Sequence, residues 1–90
     1  FTSALRSYFP NPASTTTTVE YATIEEVPVK ISLMNTLGQS VKTIMDITHK
    51  PGVYQTTFSV TDVPDGLYFL VMEAGAYRDA KSILISQGGR

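Results

Sequence analysis

The sequence predicts an all-β domain, an antiparallel β-sandwich of six or seven short strands. Apolar and polar residues alternate at period two through most of the chain, as half-buried strands require. Turn signals rich in Gly, Pro and Asp recur roughly every 8–12 residues. Between them the segments are crowded with Val, Ile, Thr and Tyr, which suit a pleated surface. A chain of 90 residues has room for one domain and one core. At 42% hydrophobic and 17% charged it is too apolar for a disordered segment.

From Phe1 to Ser14 the chain is punctuated by Ser and Pro, and the prolines flanking Asn11 push Phe9 and Asn11 toward extended geometry. That predicts a stiff lead-in segment and no helix. Thr15–Ala22 reads as the first alternating strand, with Val19 and Tyr21 on one side of Glu20. Glu25-Glu26 marks a turn. Val27–Asn35 follows as a strand with Val29, Ile31 and Leu33 on its buried face, and Pro28 is tolerable near its start. Gly38 breaks the pattern as a turn residue.

Val41–Thr48 is ambiguous. Leu37, Val41, Ile44 and Met45 fall on a helical stripe, but the segment is short, rich in Val, Ile and Thr, and flanked by strands. The expectation is a strand. His49-Lys50-Pro51-Gly52 reads as a turn, Val53–Val60 alternates again, and Asp62-Val63-Pro64-Asp65-Gly66 is the strongest turn in the chain. Leu67–Met72 is apolar on both faces, as a central strand is. Ala74-Gly75-Ala76 makes a short hairpin loop into Tyr77–Ser86, and Gln87–Arg90 reads as a frayed tail.

Composition excludes several function classes. Seven Lys+Arg against eight Asp+Glu leave no positive excess to neutralise phosphates, so no nucleic-acid partner is expected. No run approaches the ~18 apolar residues of a helical membrane span. With no cysteine there are no disulfides, thiolate metal sites or thiol nucleophile. The single histidine, His49, lacks partners for a zinc or acid–base site and reads as a solvated loop residue. Asp62 and Asp65 read as turn formers, since calcium wants six to eight oxygen ligands. No nucleophile elbow, phosphate loop or dinucleotide glycine pattern appears. The expectation is no enzyme, no metal and no cofactor. Five tyrosines and four phenylalanines could stack on sugars, but Tyr21, Tyr54, Tyr68 and Phe69 sit in strand runs, where core packing is the default. A chain opening on Phe1, with no signal-peptide pattern, reads as a piece of a longer protein.

Tyr8-Phe9-Pro10-Asn11-Pro12 is similar to a Y-P-N-P motif with one residue added, and Thr15–Tyr21 to a T-x-I-x-Y strand. Asn35 with Leu37-Gly38-Gln39-Ser40-Val41 is similar to an N-x-L-G-Q-x-V signature. Gly52-Val53-Tyr54 and Gly66-Leu67-Tyr68 repeat a G-x-Y motif. Lys81-Ser82-Ile83-Leu84-Ile85 is similar to a basic-then-aliphatic terminal strand. In this order and spacing the motifs resemble the type A C-terminal sorting domain of the type IX (Por) secretion system of Bacteroidetes-type bacteria. The resemblance covers Tyr8 to about Ser86.

That resemblance implies an immunoglobulin-like sandwich of about seven strands at the C-terminus of a secreted cargo. It implies folding in the periplasm, recognition by the outer-membrane translocon, and removal by a sortase-like peptidase that attaches the cargo to the cell surface, so the expected location is the periplasm in transit and then the cell surface or the secreted fraction. Residues 1–7 are then linker from the upstream cargo, 8–86 the sandwich and 87–90 a tail. The domain is a substrate and not an enzyme. Lys81, Ile83, Leu84 and Ile85 are the expected recognition residues, on a strand expected at a sheet edge with open backbone groups. Pro10, Asn11, Pro12, Leu37, Gly38, Gln39, Gly52, Tyr54, Gly66 and Tyr68 are expected to hold the fold. The alternatives are a structural or adhesive sandwich module and a carbohydrate-binding module.

Overall fold

Seven strands take up the alternating segments: β1 (Ala4–Phe9), β2 (Thr16–Thr23), β3 (Val27–Met34), β4 (Ser40–His49), β5 (Gly52–Ser59), β6 (Gly66–Ala74) and β7 (Tyr77–Ile85). The computed structural model describes residues 4–10 and 15–86, and among them there is no helix. One antiparallel sheet is ordered β1-β2-β5 and the other β4-β3-β6-β7. The chain changes sheet between β2 and β3, β4 and β5, and β5 and β6. These crossovers lace the sheets face to face as an immunoglobulin-like sandwich.

Side chains alternate across a strand, so each strand gives one row to the core. β2 contributes Val19 and Tyr21, β3 contributes Val29, Ile31 and Leu33, and β5 contributes Phe58. β6 adds Tyr68, Leu70 and Met72, and β7 adds Ile83 and Ile85. Burying one such side chain contributes about 1.5–3 kcal/mol. These facing rows hold the sheets together in a chain that has no cysteine. No buried side-chain nitrogen or oxygen among the described residues lacks a hydrogen bond, which keeps the core free of desolvation cost.

The ambiguous segment is a strand, and its helical stripe has a physical cause. β4 pairs with β3 through an irregularity in which Ile31 faces Met45 and Ser32 faces Thr43, leaving Ile44 as the extra residue. Such a bulge shifts the alternation by one. Ile44 and Met45 therefore both pack against the core. A bulge and a helical turn leave the same mark on hydropathy.

The lead-in segment differs from expectation. From Ala4 onward it is strand β1, pairing with β2 through Ala4–Ala22, Leu5–Tyr21 and Tyr8–Val19. Leu5 is only 2% exposed. Residues 4–7 are thus part of the sandwich and not linker. The surrounding Ser, Arg and Pro masked one deeply buried leucine in a short strand. Pro10 follows β1 in an exposed bend, and its carbonyl accepts a bond from the Thr17 hydroxyl at 3.2 Å. Asn11, Pro12 and the tail 87–90 lie outside the described residues.

Candidate functional site

The two G-x-Y motifs are one device used twice. Gly52 and Gly66 open β5 and β6 with φ of 157° and 152°. In each motif the tyrosine two residues on turns its hydroxyl back to the carbonyl four residues earlier. Tyr68 donates to Pro64 at 2.7 Å and Tyr54 donates to Lys50. The tyrosine ring lies over the glycine, so a Cβ on Gly52 would meet the Tyr54 ring at 3.5 Å and its hydroxyl at 3.4 Å. Each motif turns the chain from one sheet to the other and locks the turn with one phenol. Tyr68→Phe is expected to lower stability by about 0.5–1.5 kcal/mol. Gly66→Ala should cost about 1–3 kcal/mol, since the mirror-image backbone there disfavours a side chain. Urea unfolding of both variants checks the ranking.

The L-G-Q signature is a self-contained loop between β3 and β4. Asn35 organises it: its Oδ1 accepts from the amides of Leu37 and Gln39 at 3.0 Å each, and its Nδ2 donates to Gln39 Oε1 at 2.9 Å. Gly38 supplies the left-handed residue at φ 82°, a conformation that costs little without a Cβ. The sequence reading put Asn35 at the end of a strand, although the affinity of asparagine for its own downstream amides was a usable signal. Leu37 is 81% exposed on this rigid loop, so packing does not explain it. Beside it Met34, Phe69, Val71, Arg78 and Ala80 line a shallow groove of about 180 Å³ on the outer face of the four-stranded sheet.

β7 is an edge strand, hydrogen-bonded among the described residues of its sheet to β6 alone, but its free side is guarded. The Tyr8 hydroxyl of β1 donates to the Ser82 carbonyl. Tyr77 donates to Asp79 at 3.1 Å and is bonded in turn by the Leu5 backbone. Burial, then the Asp79 hydrogen bond and charge, push the Tyr77 phenol upward. Asp79 Oδ1 accepts from the Ala80 amide at 2.8 Å. The expected recognition residues separate by face. Ile83 and Ile85 are 1% and 0% exposed in the core, Lys81 is half-buried on that same inward row, and Leu84 is 44% exposed on the outer face. A partner of the folded domain can reach Lys81 and Leu84 but not the two isoleucines.

On the opposite side of the sandwich two contacts join β4 to β5. Lys42 Nζ donates to the Ser59 carbonyl at 2.8 Å and pairs with Asp62 at 3.0 Å. That hydrogen bond holds the exposed Asp62 carboxyl below its usual range. At the other end sits His49, which is not a solvated loop residue. As the last residue of β4 it stacks on Tyr54 with ring centroids 4.0 Å apart, and its Nε2 lies 2.8 Å from the Tyr21 hydroxyl. A histidine in a turn-like Lys-Pro-Gly context reads as exposed until pairing sets it between two tyrosines of the other sheet.

Of the strand-run aromatics, Tyr21 and Tyr68 are buried, Tyr54 packs against the core, and Phe69 alone of the four turns outward. They do not form a flat sugar-stacking row. Among the described residues no group of His, Asp or Glu is placed to hold a metal ion, and no helix is long and apolar enough to cross a membrane. A family model described as secretion system C-terminal sorting domain matches residues 7–86. No curated protein matches the chain.

Proposed function

The chain belongs to the family of secretion-system C-terminal sorting domains, and from that membership we propose that it is the removable export address of a larger secreted cargo. The family is a sorting signal of the type IX system, which implies export to the cell surface or beyond. In our reading the sandwich folds in the periplasm, docks on the outer-membrane translocon and is then cut away by a sortase-like peptidase. The domain acts as ligand and substrate. Its recognition surface is the accessible part of the last strand, Lys81 and Leu84. The cut falls before Ala4, because β1 is built into the sheet and Leu5 into the core. The observation that carries the reading is the family match over nearly the whole chain.

The test is a periplasmic reporter fused upstream of this chain in a host with a type IX system. Surface display of the reporter, with a new terminus upstream of Ala4 by mass spectrometry, is the expected result. Deleting Lys81–Arg90 removes core residues as well as the surface, so it should abolish display without separating the two. Lys81→Ala with Leu84→Ser leaves Ile83 and Ile85 in place. It should retain most of the reporter in the periplasm while the domain stays folded. Undiminished display from the double variant rules out this recognition surface, and no display from the intact fusion rules out the address itself.

A further inference from the structure

We propose that the open edge of β5 is a self-complementary strand-pairing surface, and that its occupant is the β5 of a second copy of this chain. A sheet edge is a template for another strand unless something blunts it. The described strands leave four sheet edges, and three of them are blunted. β1 is six residues long with an irregularity between Leu5 and Ser7. β4 carries Lys42 and Asp46 and two register shifts. β7 carries Arg78, Asp79 and Lys81, and β1 and Asp79 satisfy its backbone at Ser82 and Ala80. β5, Gly52–Ser59, has no charge and no proline and pairs with β2 in unbroken register from Thr16–Ser59 to Thr23–Gly52.

The backbone pattern says which groups face outward. The Val60 amide donates to Thr15 of the strand-two side at 2.8 Å. Hydrogen-bonded pairs alternate along an antiparallel ladder, so Phe58, Thr56 and Tyr54 also aim their backbone at β2. Val53, Gln55 and Thr57 aim theirs away from it. The open stretch is bounded at both ends. Ser59 points outward but its carbonyl is held by Lys42, and Pro51 at the other end has no amide hydrogen.

The open stretch carries no charge and its blocked ends, Pro51 and Ser59, lie equally far from Gln55, so a second copy matches it end to end without setting like charges together. An antiparallel two-fold pairing sets Gln55 opposite Gln55 and Val53 opposite Thr57, each pair exchanging N–H···O bonds. The bounding Pro51 and Ser59 then fall opposite one another. No charge on β5 meets its like. The product is a continuous six-stranded sheet, β1-β2-β5 joined to its two-fold mate.

Sedimentation equilibrium of the 90-residue chain tests this. The apparent mass should rise from one chain toward two between about 5 and 500 µM, the range suited to a small interface built on a strand ladder. Gln55→Pro removes an amide that the fold does not use, at an edge that tolerates proline. It should weaken association by about tenfold or more with an unchanged circular dichroism spectrum. In case proline disturbs β5, Gln55→Lys and Gln55→Glu each place like charges across the two-fold axis. Each alone should be monomeric, and an equimolar mixture should associate again. A parent chain that stays monomeric, an association untouched by these changes, or a mixture that fails to associate overturns the proposal.

Discussion

Replacing Ile85 with alanine is expected to cost the domain about 2–5 kcal/mol, while replacing its neighbour Leu84 should change stability by less than about 0.5 kcal/mol. Both are aliphatic residues of β7, one position apart, and they differ only in the face they occupy. Ile85 is fully buried, pairs with Gly66 and belongs to the core cluster. Leu84 stands 44% exposed on the outer face. Truncating Ile85 removes transfer free energy and leaves a cavity between sheets that cannot fully collapse. Against the ~5–15 kcal/mol that holds a typical domain, that loss moves the urea midpoint far. Export then separates the roles: Ile85→Ala should fail together with folding, and Lys81→Ala with Leu84→Ser should fail while still folded. Equal stability losses at the two positions would contradict the face assignment.

Tyr21→Ala should be the most damaging single change outside β7, at about 3–5 kcal/mol by analogy with other large aromatic truncations. Tyr21 is the largest of the fully buried side chains, 2% exposed, and it reaches from β2 to Met45 and His49 of the other sheet. Tyr21→Phe keeps the ring and removes only the hydroxyl that meets His49, so about 0.5–1.5 kcal/mol is expected. The two variants thus separate packing from the hydrogen bond. The phenol also makes stability sensitive to alkali. Burial first, and the neighbouring Tyr54 second, push the Tyr21 pKa above its ordinary 10.0. The contribution is whole below pH 10, where neither state ionises. It is lost as pH rises from there through the folded value, because the unfolded chain sheds its proton first. Tyr77 is pushed the same way. Melting temperature should therefore fall above pH 10, and less steeply in Tyr21→Phe. An identical alkaline slope in the variant would place the sensitivity elsewhere.

How much of this was legible depended on whether the signal was local. Val29, Ile31 and Leu33 announced their strand by alternation, and Leu67–Met72 announced theirs as a short run apolar on both faces, because both patterns act within one segment. The G-x-Y pairs were legible as motifs, but their common mechanism was not. Seeing it requires the tyrosine to fold back on the carbonyl four residues upstream. Leu5 was missed because one buried leucine among Ser and Arg carries no period. His49 was misread because its neighbours in sequence, Lys50, Pro51 and Gly52, are turn formers, whereas its neighbours in space are Tyr21 and Tyr54. On the last strand, the sequence grouped Lys81, Ile83, Leu84 and Ile85, and the sheet divided them by face.

By itself the sequence determined the fold class, the approximate positions of six of the strands, and an ordered set of motifs resembling sorting domains. Those properties rest on short-range rules, namely alternation, turn chemistry and spacing. Only the tertiary structure decided which strands became edges and which edges stayed open. β5 and β7 are both eight or nine residues of alternating sequence. On β7 the Tyr8 hydroxyl and Asp79 cap outward backbone at Ser82 and Ala80, whereas on β5 Lys42 caps Ser59 and, among the described residues, Val53, Gln55 and Thr57 have no such cap. An edge is defined by what fails to pair with it, and pairing between sequence-distant strands is set by how the whole chain packs its core.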